Sequence, residues 1–174
     1  MMNVYIKNTT DEEKEIIKVH SCIKFMPNLS KITDKLYLGN YDSAMYKSQL
    51  KSLGVTHILV CGNDLEELYP KDFIYMTLKL KDNLNEDIYS YFPKTNLFID
   101  SADVILVHCL AGVSRSASIV LAYLMNKYHV SYETARKFVK IKRDINPNVN
   151  FRQQLEKYES ELSKIKTFYN EIKI

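Results

Sequence analysis

Cysteine, glycine and proline are scarce in this 174-residue chain, with three, four and four copies, and tryptophan is absent. The three cysteines, Cys22, Cys61 and Cys109, form an odd set without framework spacing. That excludes a disulfide scaffold and favours a reducing compartment. No CxxC or HExxH occurs, so no metal site is signalled and no cofactor is expected. The opening "MMNVYIKNTTDEEKE" has no apolar core suited to a signal peptide, and Met2 stands where myristoylation needs glycine. The longest apolar runs are strand-sized, so a location in the cytoplasm or nucleus and no membrane partner are expected. Internal repeats and low-complexity linkers are also missing. The net charge of +3 tolerates an anionic ligand without pointing to nucleic acid, so no nucleic-acid partner is expected.

What is present is 46% hydrophobic residues, enough for one ordinary domain with extensions. "NTTDEEKEIIKVH" reads as a short helix with Thr10 as N-cap, followed by a linker around Pro27. "KLYLGN" reads as a strand. "YDSAMYKSQLKSLG" reads as one helix that turns Ala44, Leu50 and Leu53 inward and stops at Gly54. "VTHILVCG", "DFIYMTLKL" and "DVILVH" are further strands. Helices are expected over "NEDIYSYFPKTNLFIDSA", "SRSASIVLAYLMNKYH", "SYETARKFVKIKRD" (N-cap Ser131) and the long terminal run from "PNVNFRQQLEKYE". Alternation of strands with helices predicts an α/β fold with a mostly parallel sheet.

"DVILVHCLAGVSRSASIVLAYLM", Asp103 to Met125, concentrates the chemistry. A buried strand ends in Cys109, and a short loop with Gly112 leads to Arg115 at a helix start. Such a loop turns main-chain N–H groups inward over the positive end of a helix dipole, and so binds a tetrahedral oxyanion. Arg115 adds a planar fork for two phosphate oxygens. The same field favours a thiolate, so Cys109 is expected to be ionised at neutral pH.

The run His108-Cys109 to Arg115-Ser116 resembles the His-Cys-x5-Arg-Ser/Thr signature of the cysteine-dependent protein phosphatases, and its wording is similar to the dual-specificity subfamily. "ITDKLYLGNYDSA", "LGVTHILV" and "PNVNFRQQLEKYE" resemble three further blocks of that subfamily in the right order, although the family usually has Asn where Val60 stands. The resemblance implies the cysteine phosphatase fold: a central, mostly parallel five-stranded sheet flanked by helices. It implies hydrolysis of phosphotyrosine and phosphoserine or phosphothreonine esters through a phosphocysteine formed by Cys109. Main-chain amides of Leu110, Ala111, Gly112, Val113, Ser114 and Arg115 would hold the phosphate. Ser116 would assist departure of the thiolate, and His108 would orient the loop. The general acid is Asp82 by this pattern, before Tyr91-Phe92, with Glu86 and Asp87 as the alternatives. Asn40 and Ser43 are expected to hydrogen-bond the loop from behind.

Lack of tryptophan and of a longer domain departs from tyrosine-specific relatives, which carry their acid in a Trp-Pro-Asp loop. The loop residues 110 to 114 carry no charge, whereas relatives that take phosphoinositides usually add lysines there, so the resemblance implies a phosphoprotein rather than a lipid; no aromatic-and-basic stripe supports an RNA 5′ end. A phosphosite-binding pseudophosphatase is the competing class. Residues 1–27 are read as an N-terminal helical extension, 28–160 as the catalytic domain and 161–174 as a C-terminal helix extension. Phe151, Leu155, Tyr158, Leu162, Ile165, Tyr169 and Ile172 form an a/d stripe on the last helix. Its outer half is expected either to lie on its own domain or to form a homodimer seam. Cys61 is expected beside the catalytic strand, as a buried spectator or a resolving thiol for an oxidised Cys109. Cys22 is assigned no role.

Overall fold

In a computed structural model, which describes residue 10 and residues 28–171, the Cys109 strand lies at the middle of the sheet. The five strands are β1 (Leu29–Lys31), β2 (Leu36–Gly39), β3 (His57–Cys61), β4 (Ile74–Leu78) and β5 (Ile105–His108), in the order β1-β2-β5-β3-β4. All pairings are parallel except β1 with β2. The expected sheet is therefore present. Its fifth strand is the three-residue β1, too short to leave a period in the sequence, which falls next to the linker expected around Pro27. The predicted N-terminal helix lies outside the described residues, apart from Thr10.

β5 is apolar on both faces, as a central parallel strand must be. Ile105 and Val107 join the larger core with Leu36, Leu38 and Leu59, whereas Leu106 joins the smaller one with Tyr37, Ile58 and Val60. The smaller core is closed by α1 (Tyr41–Ala44) and α2 (Lys47–Ser52), through Ala44 and Leu50. These are two helices where one was expected. Tyr46, with ψ near 66°, breaks the helical path, and the Tyr69 hydroxyl donates to the Met45 carbonyl at 2.6 Å. The stop at Gly54 is present, with φ of +76°.

The larger core is covered by α3 (Phe92–Ser101), α4 (Arg115–Tyr128), α5 (Tyr132–Lys140) and α6 (Val149–Glu171). Pro93 sits in the first turn of α3, where no N–H is needed. α4 is buried from Arg115 to Met125, because it runs beneath the sheet with α3, α5 and α6 against it. Ser131 caps α5, accepting from the Thr134 N–H at 3.2 Å. α6 packs Phe151, Leu155 and Tyr158 on the domain, with Leu162 partly buried; Ile165 is 52% exposed. Chain order changes direction on either side of β5, so the crevice beyond its carboxyl end is where an α/β sheet of this kind receives a ligand.

Candidate active site

The loop Cys109–Ser114 joins β5 to α4 at that edge. Each carbonyl from Leu110 to Ser114 has a partner beyond the loop. Leu110 O accepts from Tyr41 N–H at 3.1 Å, and Val113 O from Asn146 N–H at 2.9 Å. Ala111 O and Gly112 O accept from the Arg143 guanidinium at 3.1 and 2.6 Å. Ser114 O accepts from the Ser118 N–H and hydroxyl, both at 2.8 Å. Peptide planarity fixes the consequence: carbonyls turned outward aim the N–H groups of the following residues into the hollow. Gly112 makes the turn possible with φ of +71°, and a Cβ there would overlap the Gly39 carbonyl and the Arg143 guanidinium.

Cys109 is buried at the floor of the hollow. Its Sγ accepts from the Gly112 N–H at 3.2 Å and from the Ser116 hydroxyl at 3.1 Å. His108 lies beneath, 1% exposed, with Nδ1 lacking a hydrogen-bond partner among the described residues. Burial pushes its imidazole down to about 4, against a hydrogen bond to the Cys109 main chain, so it is neutral at pH 7. Burial likewise drives the Cys61 thiol well above its usual range, and charge on Cys109 pushes the same way, against Arg115. Val60 pairs with His108, so Cys61 follows in register beside Cys109. Both thiols are free.

Arg115, the first residue of α4, lies buried along the wall. Its Nη1 donates to Asp64 Oδ1 at 3.1 Å and to Leu80 O at 3.3 Å. Its Nε is buried without a hydrogen-bond partner among the described residues, 3.9 Å from Asp82 Oδ2. Asp82 stands at the rim, with Oδ1 accepting from the Ser114 hydroxyl at 2.9 Å and from Asn148 Nδ2 at 2.8 Å. The other two acids are occupied locally: Glu86 accepts from Lys81 N–H at 3.0 Å, and Asp87 from Ser90 N–H at 3.1 Å.

Asn40 and Ser43 do not reach the loop. Their side chains bond each other's main chain at 2.9 and 2.7 Å, capping α1, and the neighbouring Tyr41 N–H makes the loop contact instead. Sequence reasoning overlooked Arg143, Asn148 and Asp64. Arg143 and Asp64 sit in charged stretches indistinguishable by composition from a solvated face. Asn148 lay within the "PNVNF" block, but only as part of a helix start. It caps α6 through Phe151 N–H at 2.9 Å while its N–H donates to Ser114 Oγ at 3.1 Å.

Residues 36–161 match the family model described as "Dual specificity phosphatase, catalytic domain". The chain is 35% identical over 173 residues, 97% of its own length and 87% of the relative's, to Dual specificity protein phosphatase 1 of Arabidopsis thaliana. It is 44% identical over 137 residues to MAP kinase phosphatase with leucine-rich repeats protein 1 of Dictyostelium discoideum, covering 76% of the chain but only 16% of that protein. Among solved structures, the human tyrosine phosphatase-like serine/threonine/tyrosine-interacting protein aligns with a TM-score of 0.72 at 38% identity, over 76% of this chain and 96% of that one. The match runs from β2 through the loop to the packed part of α6, and on that ground the chain belongs to the dual specificity phosphatase catalytic-domain family.

Proposed function

We propose that the protein hydrolyses phosphotyrosine and phosphoserine or phosphothreonine esters on proteins without a metal. The outward bonding of every carbonyl from Leu110 to Ser114 carries this reading, because it leaves a ring of donors with the Cys109 sulfur at its centre. The Cys109 thiolate attacks phosphorus in line, an S–P bond forms and the ester P–O bond breaks. Asp82 gives its proton to the leaving oxygen. The loop amides and Arg115 take up the charge on the equatorial oxygens. Water, giving a proton back to Asp82, then breaks the S–P bond and releases phosphate, while the Ser116 hydroxyl receives the departing thiolate. His108, neutral and buried, shapes the loop and moves no proton.

Para-nitrophenyl phosphate and phosphopeptides test the reaction. Turnover should survive EDTA, stop with vanadate, and vanish in Cys109→Ser while phosphopeptide binding remains. Asp82→Asn should slow phosphoserine peptides, with their poor leaving group, by more than the aryl ester. The chain spans under a fifth of the Dictyostelium MAP kinase phosphatase with leucine-rich repeats protein 1, whose name makes a phosphorylated MAP kinase a natural protein substrate to try. The uncharged loop supports phosphoprotein over phosphoinositide. The catalytic unit we assign is 28–160, supported by the pairing of β1 with β2. No described helix is long and apolar enough to cross a membrane; for location we favour cytoplasm or nucleus. A phosphosite-binding role draws on the human "interacting protein" at 38% identity, and wild-type binding without turnover would establish it.

A further inference from the structure

We propose that Asp64 is a positioning residue for Arg115, fixing which edge of the guanidinium faces the phosphate. The inference rests on the phosphatase reading above. A guanidinium has five N–H donors on three edges. The two on Nη1 are used by Asp64 Oδ1 and Leu80 O. The Nε–Nη2 edge lies on the other side, and Nε is buried with no hydrogen-bond partner among the described residues. A buried N–H left unpaired is costly, and a bound oxyanion would satisfy it. Two oxygens of a phosphate match that side-on edge.

The support under Asp64 is rigid. Gly62 N–H donates to Leu78 O at 3.0 Å and Asn63 N–H to Leu80 O at 3.2 Å, so the turn after β3 is tied to the chain leaving β4. At Gly62 a Cβ would lie 2.9 Å from both Arg115 Nη1 and Asp64 Oδ1, so the absent side chain is what lets the pair meet. Leu80 O alone, a neutral acceptor at 3.3 Å, would leave the guanidinium plane free to turn about its long side chain. Asp82 Oδ2, at 3.9 Å from Nε, is too far to hold it.

Positioning and bare electrostatics predict opposite outcomes. As a fixed negative charge beside an anion site, Asp64 should weaken phosphate binding, and its removal should strengthen it. As the anchor of the Arg115 fork, it should strengthen binding. The test uses the full chain as wild type, Asp64→Ala and Asp64→Asn, with kcat and KM on para-nitrophenyl phosphate, vanadate inhibition and thermal midpoint. Asp64→Ala should weaken vanadate about tenfold and lower kcat/KM by at least as much, the size of one lost charge-assisted bond. Asp64→Asn keeps an acceptor oxygen and should stay within about threefold of wild type, as a neutral acceptor retains much of one such bond. Vanadate bound as tightly or more tightly by Asp64→Ala overturns the proposal. So does an Asn variant as impaired as the Ala variant at an unchanged midpoint. If Asp64→Ala melts early, the same kcat, KM and vanadate measurements made well below its midpoint decide, with a wild-type vanadate affinity there overturning the proposal. A wild type that neither turns over nor binds vanadate sinks the phosphatase reading itself, a result distinct from an indifferent Asp64.

Discussion

Gly112 and His108 show at the residue scale how little freedom the loop has. Gly112 is left-handed, and its missing Cβ is the space occupied by the Gly39 carbonyl and the Arg143 guanidinium. Gly112→Ala should therefore push the loop away from β2, with a stability loss of about 1–3 kcal/mol and at least a hundredfold loss of kcat, readable by urea unfolding and aryl-ester turnover. A variant with normal turnover would show that the loop does not need this close approach. His108 makes a pH prediction. Its folded value near 4 lies below the ordinary 6.5, so between these values the unfolded chain holds a proton that the folded chain does not. Stability rises with pH where the unfolded state binds more protons. It should thus be full above pH 6.5, fall as pH drops toward 4, and lose no more from this group below that, for a total of about 3 kcal/mol. Urea midpoints from pH 4 to 7 in wild type and His108→Asn measure it. The variant's slope should be shallower by roughly one proton, and equal slopes would refute the assignment.

Among the elements, the segment between α5 and α6 does the work that the loop cannot do for itself. Arg143 donates to Ala111 O, Gly112 O and, at 2.6 Å, Asn28 O, so one side chain ties the loop to the chain entering β1. Burial lowers its guanidinium from the ordinary range, against the attraction of Cys109. Arg143→Met keeps the stem and removes all of these bonds, and should cost about 2–4 kcal/mol as charge-assisted bonds to partly buried carbonyls. Thermal unfolding reads this directly, and a shift of under a degree would mean that the staple is ornamental. Arg143 also marks the boundary of what was legible beforehand. β3, β5 and α4 announced themselves by apolar runs of the right length, and Cys109, Gly112 and Arg115 by spacing along one continuous stretch. Local chemistry of that kind survives in sequence. The Tyr46 break did not, because the contact that accompanies it, from the Tyr69 hydroxyl to the Met45 carbonyl, comes from far along the chain. Neither did Arg143, Asn148 or Asp64, whose partners lie 32, 34 and 51 residues away and whose type alone suits any wet surface. Asn40 and Ser43 failed for the converse reason: near the loop in the fold, they are consumed by a cap that two neighbouring polar residues could always make.

For the molecule as a whole, α6 and the loop raise separate questions. A seam between two copies, the alternative to a helix resting on its own domain, would use the a/d stripe that runs past Leu162 to the half-exposed Ile165. Sedimentation coefficients should then climb with concentration and flatten in Ile165→Glu; one unchanging boundary in both would exclude it. The loop gathers contacts from every part of the fold: Tyr41 after β2, Leu80 and Asp82 after β4, Arg143 to Asn148 between α5 and α6, and α4 beneath. An anion that fills it therefore binds the folded chain alone, since the unfolded chain has no such ring. At a hundred times its dissociation constant it should stabilise folding by about 2.7 kcal/mol. For a domain of this size that is a rise in midpoint of about 5–10 °C. Orthovanadate or tungstate should produce it in wild type and in Asp82→Asn, which leaves the ring intact. Arg115→Met, which removes the fork, should show almost none. An equal rise in Arg115→Met would mean that the anions bind elsewhere, and the ring of inward donors would lose its claim to be the phosphate site.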